Sequence, residues 1–202
     1  MPVLAATEAG IARRIPPGFD ERFSTNDQGW PDRVGSTAWF GNGGYSLAPR
    51  QVGQFVALRE PRGDVYRDVR VTGVFRKLEG PPGGGYGLIL RDQSSPPPDG
   101  LTQLGRYYVC EIGDRGEIGI WRREDDRWIE LLPWTPSEAV HRGDAVNELV
   151  VEAMGARLSV VVNGTPVAEL EDTSSPEGAV GLFAGGDGNQ VLVQRFAVEP
   201  LT

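Results

Sequence analysis

The chain has 202 residues, of which 39% are hydrophobic, and a formal net charge of −8 at pH 7. This length fits one sizeable all-β domain better than two small ones. The net negative charge excludes non-specific nucleic-acid binding and adhesion to anionic lipid, and no apolar run is long enough for membrane insertion.

Residues 1–18 are predicted to form a leader arm that precedes a domain over residues 19–202. Leu4, Glu8, Ile11 and Ile15 recur at roughly helical spacing, and the prolines that follow Ile15 would end such a helix. A docked helix and a mobile arm both fit this pattern. The arm has no long apolar segment and so is not an intact signal peptide. As written, the chain is predicted to be cytoplasmic, or extracellular if it is a piece of a longer exported protein.

Short apolar runs separated by turn residues fill the body of the chain. Alternation over residues 69–76 predicts a strand, and residues 80–85 (GPPGGG) predict a turn rather than a phosphate loop. Residues 105–170 read as a meander of hairpins that includes an Asn-Gly turn. Thr135–Glu138 has capping-box spacing and predicts one helical turn. The pattern as a whole predicts an all-β, antiparallel two-sheet sandwich or barrel.

The hairpin around residues 105–123 allows its two faces to be assigned. A three-residue turn over residues 114–116 places Tyr108, Cys110 and Ile112 on one continuous apolar side, which should face the other sheet. A two-residue turn would bury Glu111 at a high cost, so the three-residue register is favoured. The opposite side then carries Tyr107, Val109, Glu111, Gly119, Trp121 and Arg123.

The outward side of this sheet is the candidate binding face. In the preceding strand, Leu88 and Leu90 are predicted to point inward, with Ile89 and Arg91 outward. Aromatic rings beside carboxylates and guanidinium groups suit a polyhydroxylated ligand, so carbohydrate is the predicted partner. The candidate binding residues are Trp121, Arg91, Glu111, Tyr107, Arg123 and Arg76. In the alternative interpretation, the proline-rich loop over residues 94–100 covers Trp121 and the charged residues form surface ion pairs.

Catalytic and metal chemistry have little support in the residue inventory. One histidine (His141) and one cysteine argue against a zinc site, and no cofactor is predicted. No G-x-S-x-G motif is present. No residue is assigned a catalytic role. If the protein is an enzyme, Glu111 is the candidate acid, and Asp92 is the second acid that could reach the same face. Asp114 and Glu117 are interpreted as solvated acids of the hairpin turn and its exit.

From residue 86 onward, YGLILRDQ, YYVCEIGDRGEIGIWRRE, NELVVEAMGARLSVVVNGTPVAELED and GAVGLFAGG resemble the concanavalin A-like lectin/glucanase superfamily. The chain looks most similar to bacterial laminin-G-like modules and to the 3-keto-disaccharide hydrolase-like family. The resemblance implies a jelly roll whose first and last strands pair, and whose concave sheet binds carbohydrate in many members.

Two departures from that superfamily bear on function. The Glu-x-Asp-x-x-Glu strand of its glucanases has no counterpart, which places glucanase activity in doubt. Where relatives carry an Asp near a structural calcium, this chain has Gln194 and Arg195, and a cation there would be repelled.

Three functional hypotheses follow. The first is a non-catalytic carbohydrate-binding or ligand-binding module that forms part of a bacterial protein. The second is a glycoside-cleaving enzyme of the 3-keto-disaccharide hydrolase-like kind that uses Glu111. The third is a structural or protein-interaction module whose concave face is plugged by residues 93–100 or by the leader. The sequence leaves the oligomeric state open.

Overall fold

The computed structural model describes residues 15–33, 35–95, 101 and 103–202. Within this part, the regular elements are strands, and no helix is present. The strands are β1 (Phe19–Glu21), β2 (Ala38–Gly41), β3 (Gly44–Leu47), β4 (Phe55–Arg59), β5 (Val69–Glu79), β6 (Gly85–Asp92), β7 (Gly105–Gly113), β8 (Glu117–Asp125), β9 (Arg127–Pro136), β10 (Asn147–Met154), β11 (Arg157–Val162), β12 (Thr165–Glu171), β13 (Ala179–Gly185) and β14 (Gln190–Pro200). Residues 1–14, which hold most of the predicted leader arm, lie outside the described residues.

The strands form two antiparallel sheets that pack face to face. One has the order β12-β11-β10-β5-β14-β3-β2, with β1 also paired to β14, and the other has six strands in the order β4-β13-β6-β7-β8-β9. The first and last strands pair as predicted, with Phe19 opposite Val198, and Asp20 accepts hydrogen bonds from the Arg195 guanidinium. The all-β, two-sheet jelly-roll prediction is therefore confirmed.

The predicted faces of the β7–β8 hairpin are also confirmed. Residues 114–116 form a three-residue turn, and Cys110 lies opposite Ile120 in the ladder. Tyr108, Cys110 and Ile112 belong to the core between the sheets, where each is fully buried. The Asn163–Gly164 turn joins β11 to β12, with both residues at positive φ (50° and 80°), as a two-residue primed turn requires.

The helical turn predicted over Thr135–Glu138 is wrong. Thr135 and Pro136 are the last residues of β9, where they lie opposite Ile118 and Glu117 of β8. Ladder pairing with β8 therefore prevails over the local capping signal. Ser137 caps only a short turn, which the Val140 N–H closes by donating to the Ser137 carbonyl at 3.2 Å.

Candidate functional site

The outward face of the six-stranded sheet is strongly concave. Phe55 lies on β4 and Trp128 on β9, the two edge strands, yet their ring centroids are only 5.2 Å apart. In a flat sheet, five strand spacings would separate these edges by roughly 24 Å. The sheet therefore twists and curls until the two corners meet above its outer face. We refer to the Phe55–Trp128 contact as the aromatic bridge.

Half of the concave face is filled beneath and beside this bridge. Ala57, Ile89, Tyr107, Val109 and Phe183 form a second apolar cluster, separate from the main core, against which Phe55 and Trp121 pack. These side chains belong to four different strands of the sheet, and they have no more than 5% exposure although they point away from the main core. The concave face is thus sealed over this half.

The Arg123 side chain packs against both rings of the aromatic bridge. Its guanidinium lies 4.8 Å from the Trp128 ring centroid and 5.4 Å from that of Phe55, at cation–π distance from both. Its Nη2 donates to the Gln103 carbonyl, and the Gln103 side-chain amide donates to the Phe55 carbonyl. Together these contacts fix the bridge to both edges of the sheet.

The other half of the face is an open groove of about 520 Å³. Three loops, which contribute Gly53, Gly83 and Gly186, form its rim. The Asp187 carboxylate at the rim accepts a hydrogen bond from the Gly53 N–H. The lining residues are Gly53, Gln54, Phe55, Gly83, Gly85, Glu111, Trp121, Trp128, Trp134, Phe183, Gly185, Gly186 and Asp187.

A floor of glycines lets the Trp134 indole lie across the sheet. If Gly119 (β8) or Gly113 (β7) carried a Cβ atom, that atom would stand 3.4 Å from the benzene ring of Trp134. A Cβ on Gly85 (β6) would stand 3.0 Å from the same ring. Trp134 belongs to β9, so its ring reaches over the three neighbouring strands. It remains 36% exposed and stands 6.3 Å, centroid to centroid, from Trp121. Trp134 and Trp121 thus give this side of the groove an aromatic surface, in addition to the Phe55 and Trp128 rings at the bridge.

Glu111 supplies a buried carboxyl at the floor of the groove. The residue is only 7% exposed, and this burial raises the pKa of its carboxyl to about 8. The Trp121 indole N–H beside it lowers the pKa in part, although the pair does not reach the geometry of an ordinary hydrogen bond. The charge of Glu117 raises the pKa further. At neutral pH the carboxyl of Glu111 is therefore largely protonated and able to donate a hydrogen bond.

Glu117 lies on the concave face, contrary to its interpretation as a solvated turn acid. It is the first residue of β8 and is half-buried. In the ladder Glu117 pairs with Gly113 while Glu111 pairs with Gly119, so the two carboxylic residues are diagonal neighbours. The other suggested acid, Asp92, is buried opposite Ala179, and it is not among the residues that line the groove.

The structure brings some of the predicted site residues together and separates others. Trp121 and Glu111 line the groove. Tyr107 and Arg123 share their face but are buried at the sealed half, where Tyr107 packs 6.2 Å from Trp128. Arg76 lies on β5 in the opposite sheet, where its Nε donates to the Asp144 carbonyl. It is therefore remote from the groove.

The predicted outward orientation of Arg91 is wrong. Its φ is +52°, and the β6–β13 ladder shifts register between Ala179 and Gly181. This irregularity turns the side chain away from the concave face. The guanidinium is 1% exposed and donates to the carbonyls of Ser175 and Gly155, of which the latter lies between β10 and β11. Burial lowers the pKa of Arg91.

A buried ion pair anchors one rim of the groove. The Lys77 ammonium lies 2.7 Å from the Asp114 carboxylate, and both side chains are almost fully buried. Lys77 also donates to the Pro81 carbonyl, while Asp114 accepts from the Gly83 N–H at 2.7 Å. The predicted turn over residues 80–85 is thus tied to the β7–β8 turn.

The described ranges contain neither a cluster of metal-ligand residues nor a helix that could span a membrane. No three His, Cys, Asp or Glu residues there are grouped so that they could hold a metal ion. No helix in the same ranges has the length and apolarity needed to cross a membrane.

Comparison with known proteins supports the fold. No family model matches the chain, and no curated protein matches its sequence. The structure is similar to the carbohydrate-binding module CBM66 from Bacillus subtilis, with a TM-score of 0.54, 14% identity and coverage of 84% of this chain and 90% of that one. It is also similar to the Crh5 transglycosylase in complex with NAG (TM-score 0.61, 14% identity, 92% and 84% coverage).

A third similar structure is the exoplasmic/lumenal domain of VIP36 in its Ca²⁺/Man3GlcNAc-bound form. Its TM-score is 0.56 at 15% identity, with coverage of 82% of this chain and 83% of that one. At these identities the similarity shows the fold alone. The chain has a two-sheet jelly-roll fold, the fold that the sequence resemblance implied.

Proposed function

We propose that this protein binds carbohydrate in the open groove of its concave sheet, without cleaving it. The supporting observation is the arrangement of aromatic rings around a polar floor. Trp134 lies across the glycine floor next to the Glu111 carboxyl, Trp121 packs beside Trp134, and Phe55 and Trp128 line the groove at the bridge. Aromatic faces pack on the C–H faces of a sugar ring, while a few polar groups bind its hydroxyls.

Similar solved structures favour the same class of ligand. CBM66 is described as a carbohydrate-binding module, and the VIP36 domain was solved with Man3GlcNAc. The proposal for this chain rests on its own groove, because aromatic walls around a protonatable acid are features of these residues and not of the fold.

A glycan array with site-directed variants tests the proposal. The wild type should bind at least one class of glycan. Trp134→Ala should lower the affinity at least tenfold, because it removes an aromatic ring on which a sugar ring can stack. Met154→Ala is the matched control, since Met154 is similarly exposed (39% against 36%) but ends β10 in the other sheet. Absence of binding by the wild type would refute the proposal. Equal affinity of Trp134→Ala and the wild type would show that the glycan binds elsewhere on the protein.

Glycoside cleavage is the second candidate, and the diagonal placement of Glu117 beside Glu111 favours it, although Glu117, like Asp92, is not among the residues that line the groove. A protonated Glu111 could act as a general acid, and the diagonal carboxylate of Glu117 could act as base or nucleophile, as paired carboxylates do in glycosidases. The test is release of reducing sugar from glycans that bind. Turnover that disappears in both Glu111→Gln and Glu117→Gln would establish cleavage, whereas binding without turnover would support the module.

A purely structural role has less support. That hypothesis predicted a concave face plugged by residues 93–100 or by the leader. The face is sealed over one half, but the groove at the other half is lined by exposed tryptophans. Residues 96–100 and 1–14, which were expected to supply the plug, lie outside the described residues.

A further inference from the structure

We infer that the groove binds a glycan by its chain end and not along an internal stretch. This inference rests on the proposed carbohydrate-binding function and specifies which part of a glycan the site takes. A site for an internal stretch needs a channel that lets the chain enter at one side and leave at the other. The groove lacks a way out along the strands.

The aromatic bridge closes the groove in that direction. The Trp128 ring lies 5.2 Å from Phe55 and 6.0 Å from Phe183, so three aromatic rings from three strands span the concave face diagonally. Phe55 and Phe183 also contact each other at 5.7 Å. The Arg123 guanidinium packs against two of these rings, so the barrier is continuous from β4 to β9.

The surface beyond the bridge is inaccessible as well. Ile89, Val109 and Tyr107 continue the concave face in the strand direction, and each has 0% exposure. A glycan that ran along the face would have to lie on these side chains. They are already covered, so a chain that enters from the rim loops ends at the bridge.

The walls and the volume set the size of what can enter. The space between Trp134 and the bridge amounts to about 520 Å³, towards the lower part of the range for small-molecule sites. The rim beside Gly53, Gly83 and Asp187 stays open for the remainder of a longer chain. The terminal ring therefore stacks inside the groove, and the chain continues outward past the loops.

Binding stoichiometry distinguishes chain-end from internal recognition. Linear fructan, xylan, β-1,3-glucan, mannan and chitin oligosaccharides, each prepared as short and long chains, are titrated by isothermal calorimetry. We expect one protein bound per chain at every length, so that binding capacity per unit mass falls in proportion to chain length. Capacity per unit mass that stays constant would overturn the inference and leave the carbohydrate-binding function intact. No binding to any of these glycans would contradict both.

The Trp128→Ala variant tests the role of the bridge directly. Loss of this ring should open the closed end, so that a long chain binds several protein molecules. One protein per long chain in a folded Trp128→Ala variant would show that the bridge is not the barrier. If the variant fails to fold, the wild-type stoichiometry alone still decides between the two modes.

Discussion

The carboxyl of Glu111 occupies the space into which a side chain on Gly85 would project. A Cβ on Gly85 would overlap Oε2 of Glu111 and stand 2.8 Å from its carboxyl carbon. The two residues belong to neighbouring strands, and the absence of a side chain on β6 is what lets an acid from β7 lie flat on the floor of the groove. The positions of the Glu111 carboxyl and of the Trp134 ring next to it therefore depend on Gly85, which has no side chain.

Replacing Gly85 by Ala should disrupt the groove with a modest effect on the fold. The new methyl would displace the Glu111 carboxyl and the Trp134 ring, which lies 3.0 Å from the same Cβ position. We expect at least a tenfold loss of glycan affinity, measured by calorimetry. Gly41→Ala is the matched control, because Gly41 lies in β2 of the other sheet and its Cβ would meet only atoms of the Trp39 ring, at 3.5 Å. Equal affinities for the two variants would refute this account of the floor.

Glu111→Gln should change how stability depends on pH. The carboxyl pKa is about 8 in the folded protein against an ordinary pKa of 4.5 for a glutamate, so below pH 4.5 the carboxyl is protonated in both folded and unfolded states. Between these values only the unfolded state releases its proton, and the wild type loses stability as pH rises, by at most about 1.4 kcal/mol per pH unit. Glutamine removes this loss, so the free energy of unfolding of the variant relative to wild type should rise from pH 4.5 to 8.

Urea unfolding at pH 4, 6 and 8 measures this difference. Glu130→Gln is the control variant, since it removes an exposed carboxyl from β9, at the position opposite Trp121. A stability difference between Glu111→Gln and wild type that stays the same at all three pH values would contradict the buried, protonated state of Glu111.

Alternation along the sequence predicts the centre of the site but not its walls. It assigns the faces of β7 and β8 correctly, because their ladder is regular from Gly105 opposite Asp125 to Gly113 opposite Glu117. It fails for β9, where the pairing with β8 shifts twice, between Ile118 and Ile120 and again before Trp121. Between the two shifts Leu132 turns towards the core, while Glu130 before it and Trp134 after it lie on the outward face, so simple alternation over β9 does not single out Trp134.

The aromatic bridge could not be derived from sequence for a different reason. Phe55 and Trp128 are far apart in the chain and on opposite edges of the sheet, and only the accumulated twist of six strands brings them together. The glycines of the floor, in contrast, are visible in the sequence. Gly85, Gly113 and Gly119 fall on the outward face of three adjacent strands, and glycine in a strand often marks close approach of another group.

Arg91→Met should destabilise the protein and leave ligand binding unchanged in the folded fraction. The guanidinium donates to the carbonyl of buried Ser175 and to that of Gly155, and loss of these hydrogen bonds should cost roughly 3 kcal/mol in the free energy of unfolding. Arg76→Met, at an exposed position, should change stability by less than about 0.5 kcal/mol. Chemical unfolding and calorimetry provide the two measurements. A loss of glycan affinity in folded Arg91→Met would contradict this prediction and would indicate that Arg91 contributes to the binding site.

The Lys77–Asp114 ion pair should prove necessary for both stability and the groove rim. Lys77→Met leaves the Asp114 carboxylate buried without its cation and frees the Pro81 carbonyl, which should cost about 3–5 kcal/mol in the free energy of unfolding. The affected loop supplies Gly83 to the groove, so glycan affinity should fall as well.

The double variant Lys77→Met/Asp114→Asn separates the charge from the loop contact. Asparagine removes the buried negative charge, and its side-chain oxygen can still accept from the Gly83 N–H, as Asp114 does at 2.7 Å. The double variant should therefore be more stable than Lys77→Met alone and should recover part of the affinity, as measured by urea unfolding and calorimetry. A double variant less stable than the single one would show that the cost lies in lost packing around Lys77, not in an uncompensated charge.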